Sequence, residues 1–398
     1  VRTMQKRLLV LGGSQFQIPL IKRAKSEGYF VGVFDISETA PARKYADYFY
    51  SVSLKDREAV LNAAKNFSPD GITVGMVDIA VPTCAYVAQV LNLPGMNLKT
   101  AESATDKYKM ICAFAAADVP HPKFQLIEKE DSEIAKCNID YPAIVKPIDM
   151  AGSRGIFLVH NDAEFKRAVK DSSKLGDSGK VLVEEYLVGP EVSVELIVKN
   201  GKAHAIQVTD KTTSGAPHFA ETGHLQPSQL DKNIIDSVKK VACSAAESLE
   251  LKNSLGHAEI KITSSGPKMI EIGARQGGDG IAEQLIELSA GVSFNEIAIR
   301  IAMGEDFSIP EMIDSTASCI RFITSKKGIL SEIKGVEEAR KIKYIYDVSI
   351  DGIVGNQYND MVDNSGRIGY IIAKAETAWQ AQEACDKAIN TIIVAYKQ

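Results

Sequence analysis

Short apolar runs alternate with helical segments over residues 1 to about 97, and this alternation restricts the fold more than any other feature of the chain. Strands joined through helices pair in parallel and need cover on both faces. The run 7–11 meets the turn Gly12-Gly13-Ser14, a helical segment follows to Gly28, and a second run, 30–34, ends at Asp35. The pattern recurs as a strand at 48–52, a helix at 56–67, a strand at 71–74 and a helix at 79–93. A parallel α/β domain is therefore expected at 1–100. Next comes a connecting helix and linker at 101–121, with Ser103 or Thr105 as the cap, closed by the breaker Val119-Pro120-His121-Pro122.

The pattern then changes. Strands at 124–127, 143–147, 155–159 and 181–185 with one helix at 163–170 suggest a small α+β lobe at 122–187. From Glu191, apolar Val192, Val194, Leu196 and Val198 alternate with Glu191, Ser193 and Glu195, the period of a half-buried strand. This opens a larger antiparallel lobe at 188–310 with a helix at 234–249. After Ser308-Ile309-Pro310, strands at 319–324, 344–348 and 369–373 and a last helix from Trp379 make a C-terminal α+β segment at 311–398.

Composition removes several function classes. The 398 residues are 45% hydrophobic and 24% charged, with a net charge of −5 and no five-residue basic run, which argues against nucleic acid as a partner. The longest uncharged stretch, 79–98, contains Pro82, Asn92, Pro94, Gly95 and Asn97, so it reads as a buried helix and turn, with no membrane contact. The six cysteines are at least 25 residues apart, which excludes a compact metal spacing and suits a reducing cytoplasm. A dinucleotide site is disfavoured: Asp35 follows Gly13 by 22 residues, but the G-x-G-x-x-G fingerprint is incomplete.

The strongest chemical signal is the pair of alternating runs flanking Ser264-Ser265-Gly266. A three-residue hairpin loop would pair Thr263 with Pro267, Lys261 with Met269, and Glu259 with Glu271. Directly opposed carboxylates repel, and a divalent cation completed by phosphate oxygens would compensate them. Deleting one acid should then relieve repulsion in the metal-free protein. The same residues also suit a solvated hairpin with Lys261 and Lys268 beside Glu259. Arg275 shares the phase of Glu271, placing a planar fork for phosphate or carboxylate just beyond the acids. The loop through Gly277 and Gly278 opens a helix near Ile281, whose free amides favour an anion.

Three weaker signals accompany it. Lys146 precedes a glycine-rich strand-to-strand loop containing Gly152, Ser153 and Gly155, which suits either a phosphate cover or a plain turn. Glu184-Glu185-Tyr186-Leu187 leads to Glu191, an edge that suits adenine and ribose or a simple strand end. His224 lies in a stretch punctuated by glycine and proline, Glu221 to Pro227, which reads as a substrate-contacting loop or an exposed loop without a role.

In order, these pieces resemble the ATP-grasp superfamily. The opening is similar to carbamoyl phosphate synthetase and biotin carboxylase relatives, while the run from Glu271 through Arg275 to Asp279 and the segment from Gly328 to Ala373 resemble the L-amino acid ligase group. The resemblance implies an ATP-grasp fold: a parallel α/β (pre-ATP-grasp) domain, a lid lobe, a larger antiparallel lobe and a C-terminal α+β segment. It further implies that Lys107 and Lys146 contact ATP phosphates, that Gly152, Ser153 and Gly155 close over them, that Glu184, Glu185, Tyr186 and Leu187 bind adenine and that Glu191 binds ribose. Glu259 and Glu271 would hold Mg²⁺ (or Mn²⁺), and Arg275 would stabilise the transferring phosphoryl group, with His224, Gly277 and Gly278 on the substrate side. Gly273 stands where many members have an Asn ligand, which leaves one or two metals open. The implied activity joins a small carboxylate to an amine through an acyl phosphate, a kinase or a carboxylase-like enzyme being the alternatives. A homodimer is left open.

Overall fold

The computed structural model describes residues 5–129, 135–150, 152, 154–216, 218–311 and 316–397. Strands Arg7–Leu11, Phe30–Asp35, Tyr48–Ser51 and Gly71–Thr73 form a parallel sheet in which Arg7–Leu11 lies between Phe30–Asp35 and Gly71–Thr73. Four of the five residues of that central strand are buried, as both faces are covered by helices. Asp35 accepts hydrogen bonds from the Gly13 and Ser37 amides at 2.7 and 2.8 Å, so the carboxylate a dinucleotide ribose would need is occupied by its own loop.

The connection is two helices, Leu98–Ser103 and Lys107–Ala116. Neither Ser103 nor Thr105 caps the second: the Thr105 hydroxyl donates back to the Ala101 carbonyl at 3.0 Å, and Asp106 accepts from the Tyr108 and Lys109 amides instead. Asp106 as cap makes Lys107 the first helical residue. The Lys107 amide donates to the Ile148 carbonyl at 3.0 Å, fastening this helix to the lid lobe.

In the lid lobe Phe124–Ile127, Val181–Glu185, Ala143–Pro147 and Phe157–Val159 pair antiparallel in that order, and helix Asp162–Ser172 packs on them through Phe165, Ala168 and Val169. Beyond it, eight strands make one antiparallel sheet among the described residues. Its order is Gly266–Gly273, Ser254–Thr263, Glu191–Lys199, Lys202–Thr213, Glu221–Gln226, Ala317–Thr324, Arg367–Ala375, Ile345–Ile350. The last three come from the C-terminal segment, so the sheet runs across the boundary placed at 310.

Glu191–Lys199 is not half-buried. Seven of its nine residues are buried, Ser193 and Glu195 among them: on the second face the Gly277 amide meets Glu195, and Ile197 joins the core cluster of helix Phe294–Ala302. The chain also ends on a strand: after helix Ala378–Thr391, Ile393–Lys397 pairs with Gly328–Lys334. No helix among the described residues is long and apolar enough to cross a membrane.

Candidate active site

The hairpin brings Glu259 opposite Glu271, but by a different route from the three-residue loop. The turn is Ser264-Ser265, so Thr263 pairs with Gly266 and Lys261 with Lys268, one residue out of the expected register. A β-bulge between Glu259 and Ile260 leaves Ile270 unpaired and restores the register at Glu259, Ala258 and His257. A bulge turns successive side chains towards one face, and here Ile270 and Glu271 both line the central cleft.

The opposed acids are neutralised by the protein itself. Lys107 Nζ is 2.7 Å from Glu271 Oε2, and Lys211 Nζ is 3.1 Å from Glu259 Oε1. Burial alone would raise the Glu271 carboxyl, but the Lys107 and Lys146 ammoniums outweigh it and hold the group at about 2. Part of the compensation that the hairpin alone assigned to a divalent cation thus comes from lysines, for a reason absent from the local sequence: both arrive from other elements.

Lys211 is the residue that the sequence reading missed most plainly. Only 7% of its side chain is exposed, and it touches three carboxylates: Glu221 at 2.6 Å, Glu191 at 2.7 Å and Glu259 at 3.1 Å. Burial opposes its charge, yet these acids raise its pKa well above the usual lysine value. Removing one member of a buried ion cluster typically costs about 3 kcal/mol or more. Lys211→Met is accordingly expected to lower the melting temperature sharply, measured by calorimetry in EDTA. An unchanged melting temperature would mean that the three acids are adequately solvated.

Arg275 is fixed from the N-terminal domain. Its Nε donates to Asp78 Oδ1 at 2.8 Å, its Nη2 pairs with Asp78 Oδ2, and Nη1 donates to the Gln276 carbonyl at 2.9 Å. Burial opposes the guanidinium charge and Asp78 more than offsets it, so the pKa is raised. Next to it His257 pairs through Nδ1 with the fully buried Glu195 and lies with Nε2 3.6 Å from Glu259 Oε1. Burial would discharge this imidazole, but Glu195 holds it protonated, with a pKa raised to about 10.

A smaller cavity of about 120 Å³ is lined by Tyr186, Leu187, Phe219, Ile144, Ile156 and Ile270, among others, and shares Lys146, Lys211 and Glu259 with the central cleft. At this hinge Gly189 has φ +144°, and a Cβ there would lie 1.8 Å from the Ile262 carbonyl oxygen, so only glycine allows the approach. The Glu184 side chain pairs with Lys146 at 2.7 Å and Glu185 with Lys268 at 3.0 Å, which leaves the backbone and the Tyr186 and Leu187 side chains to meet a ring. Glu191 pairs with Lys261 at 3.2 Å as well as with Lys211. Gly152 lines the central cleft, and Gly155 has φ +75°. Ser153 lies outside the described residues.

His224 is not on a loop. It sits in strand Glu221–Gln226, 1% exposed: Gly223 lies within that strand, paired with Thr212 on one side and Arg321 on the other, and Pro227 only follows its end. Its Nε2 is 3.9 Å from Asp279 Oδ2, and neither ring nitrogen has a hydrogen-bond partner. Glu221, His224 and Asp279 could together face a cation. Lys211 and Arg367 already neutralise the two acids, however, with Arg367 2.7 Å from Asp279 and 3.1 Å from Glu221. Arg367 and Asn364, which donates to Glu221 Oε2 at 2.9 Å, bring the C-terminal segment into the site; no local motif marked either. Gly278 lines the cleft, and the Gly277 amide donates to Glu195.

Residues 139–283 match the family model described as ATP-grasp domain, and residues 321–397 match L-amino acid ligase C-terminal domain 2. Alanine–anticapsin ligase of Bacillus subtilis is 29% identical over 280 residues, 64% of this chain and 58% of its own length. Formate-dependent phosphoribosylglycinamide formyltransferase of Sulfurisphaera tokodaii is 26% identical over 413 residues, 98% of this chain and 97% of its own. The crystal structure of L-amino acid ligase from Bacillus licheniformis superposes over 100% of both chains with a TM-score of 0.87 at 21% identity, a likeness of fold. The chain thus contains an ATP-grasp domain over residues 139–283 and an L-amino acid ligase C-terminal domain 2 over residues 321–397.

Proposed function

We propose that this protein is an ATP-dependent carboxylate–amine ligase whose carboxylate substrate is an amino acid or similar small acid. The observation that carries the reading is the opposed pair Glu259 and Glu271, set with Lys107, Lys146, Lys211 and Arg275 around one cleft of about 350 Å³ that continues into the hinge cavity. The apolar hinge suits an adenine ring, and Glu191 at its inner end suits ribose hydroxyls. The three lysines would take the triphosphate. Two opposed carboxylates offer hard oxygen donors and no soft ones, which fits Mg²⁺ or Mn²⁺ completed by phosphate oxygens. Such an ion would neutralise charge on the β- and γ-phosphates. Gly273 contributes no side-chain ligand.

In the reaction a carboxylate oxygen attacks the γ-phosphorus, the bond to the bridging oxygen breaks, and ADP leaves. The amine then attacks the acyl phosphate carbon, loses a proton, and inorganic phosphate departs. Positioning and charge neutralisation supply most of the catalysis in such transfers. Arg275 is placed to stabilise the phosphoryl and acyl phosphate oxygens, and Gly277 and Gly278 to border the substrate. His224 acts there only through Asp279 and Glu221. The lid lobe at 122–187 would close over the cleft and exclude water from the acyl phosphate. Six free thiols are compatible with a cytoplasmic setting.

The test is an ADP-release screen with Mg²⁺ and amino acids, singly and in pairs. Stoichiometric ADP, phosphate and amide are expected, with no turnover in EDTA. AMP and pyrophosphate would overturn the mechanism in favour of adenylation, and a stable phosphorylated product would reassign the protein as a kinase.

A further inference from the structure

Glu195 and His257 belong to neither the ATP set nor the substrate set above, yet they join the two. Glu195 is 0% exposed, and among the described residues its only charged partner within ion-pair distance is His257. Its Oε2 also accepts the Gly277 amide at 3.0 Å, from the loop that borders the substrate. The approach is possible only because residue 277 has no side chain: a Cβ would lie 2.6 Å from Glu195 Oε1 and 2.8 Å from His257 Nδ1. On its other side His257 Nε2 faces Glu259 Oε1 at 3.6 Å. That same oxygen is 3.1 Å from Lys211 Nζ. Glu259 Oε1 is therefore flanked by Lys211 Nζ and His257 Nε2, and among the described residues Oε2 has no charged partner within ion-pair distance.

We propose that Glu195 and His257 are positioning residues that orient Glu259 for its metal and, through Gly277, hold the substrate loop in register with it. The inference rests on the ligase reading, which supplies the metal. Groups beyond the direct ligands fix ligand orientation, and their loss typically lowers metal affinity about 10–100-fold. The fully buried carboxylate makes this a rigid link: Glu195 cannot turn towards solvent if His257 or Gly277 moves.

The experiment measures Mn²⁺ binding to the ADP-loaded protein by electron paramagnetic resonance, beside ADP binding in EDTA by calorimetry. His257→Asn keeps a donor near the Nδ1 position and loses the reach to Glu259. It should weaken Mn²⁺ binding about tenfold or more while leaving metal-free ADP binding unchanged, a split that a merely structural residue would not produce. Glu195→Gln should weaken Mn²⁺ binding likewise and speed hydrogen exchange at the Gly277 amide. Should that variant fail to fold, Gly277→Ala serves instead and should raise KM for the carboxylate with a smaller effect on Mn²⁺. Mn²⁺ binding equal to the unsubstituted protein in His257→Asn would overturn the positioning role alone. Failure of the unsubstituted protein to bind Mn²⁺ with ADP would overturn the ligase reading, and this inference with it.

Discussion

Arg275→Lys is expected to lower kcat by up to about 10³, near the lower end of what a positioned arginine contributes in phosphoryl transfer. The guanidinium has five donors; Asp78 takes two and the Gln276 carbonyl takes one, leaving two in a fixed plane at the cleft. An ammonium can keep the charge and one contact to Asp78, but it cannot hold both that anchor and a planar pair of hydrogen bonds to phosphate or carboxylate oxygens. The loss should stay below that of a deleted charge, because the lysines and the metal share the neutralisation. ADP affinity should change little, since Lys107, Lys146 and the hinge cavity are untouched. Steady-state ADP release and calorimetric ADP binding on one preparation check both halves. Wild-type turnover in this variant would make Arg275 a strut between Asp78 and the strand end, and the acyl phosphate would have to be stabilised elsewhere.

Glu271→Ala should abolish turnover and, contrary to the repulsion argument from sequence, destabilise the metal-free protein. Deleting the acid removes the 2.7 Å partner of Lys107, whose side chain is 14% exposed, and leaves its ammonium poorly solvated. With the Glu271 side chain itself 30% exposed, the cost should be about 1–3 kcal/mol, less than for a fully buried pair. The acid dependence has a definite sign. The Glu271 carboxyl lies at about 2 in the folded protein against 4.5 when free, so its contribution is complete above about 4.5 and fades as the pH falls towards 2. The melting-temperature gap between wild type and Glu271→Gln in EDTA should be constant above about pH 5 and shrink on acidification. A gap that widened at low pH, or an alanine variant more stable than wild type, would contradict the Lys107 compensation.

Local pattern determined a good deal of this protein. The period of the apolar runs located the parallel strands at 7–11 and 30–35, and hairpin alternation placed Glu259 opposite Glu271. The order of lysines, hinge and acids was enough to point to the ATP-grasp domain matched over residues 139–283. These are short-range properties: strand period, turn chemistry and phase along one strand are set within a few residues.

Tertiary structure decided what lay beyond that range. The two-residue turn would have put the acids out of register without the bulge at Ile270, and an alternation pattern does not show where an extra residue is absorbed. Glu195 looked like the solvent face of a half-buried strand; the loop at Gln276 to Gly277, distant in sequence, covers it and turns it into a buried partner of His257. Lys211, Asp78 and Arg367 entered the site from a middle strand, the N-terminal domain and the C-terminal segment, none of them within a recognisable motif. Charge compensation acts over a few ångströms through space and is indifferent to separation along the chain, so the sequence marked the acids and two of the lysines while only the fold showed which cations sit against which acids.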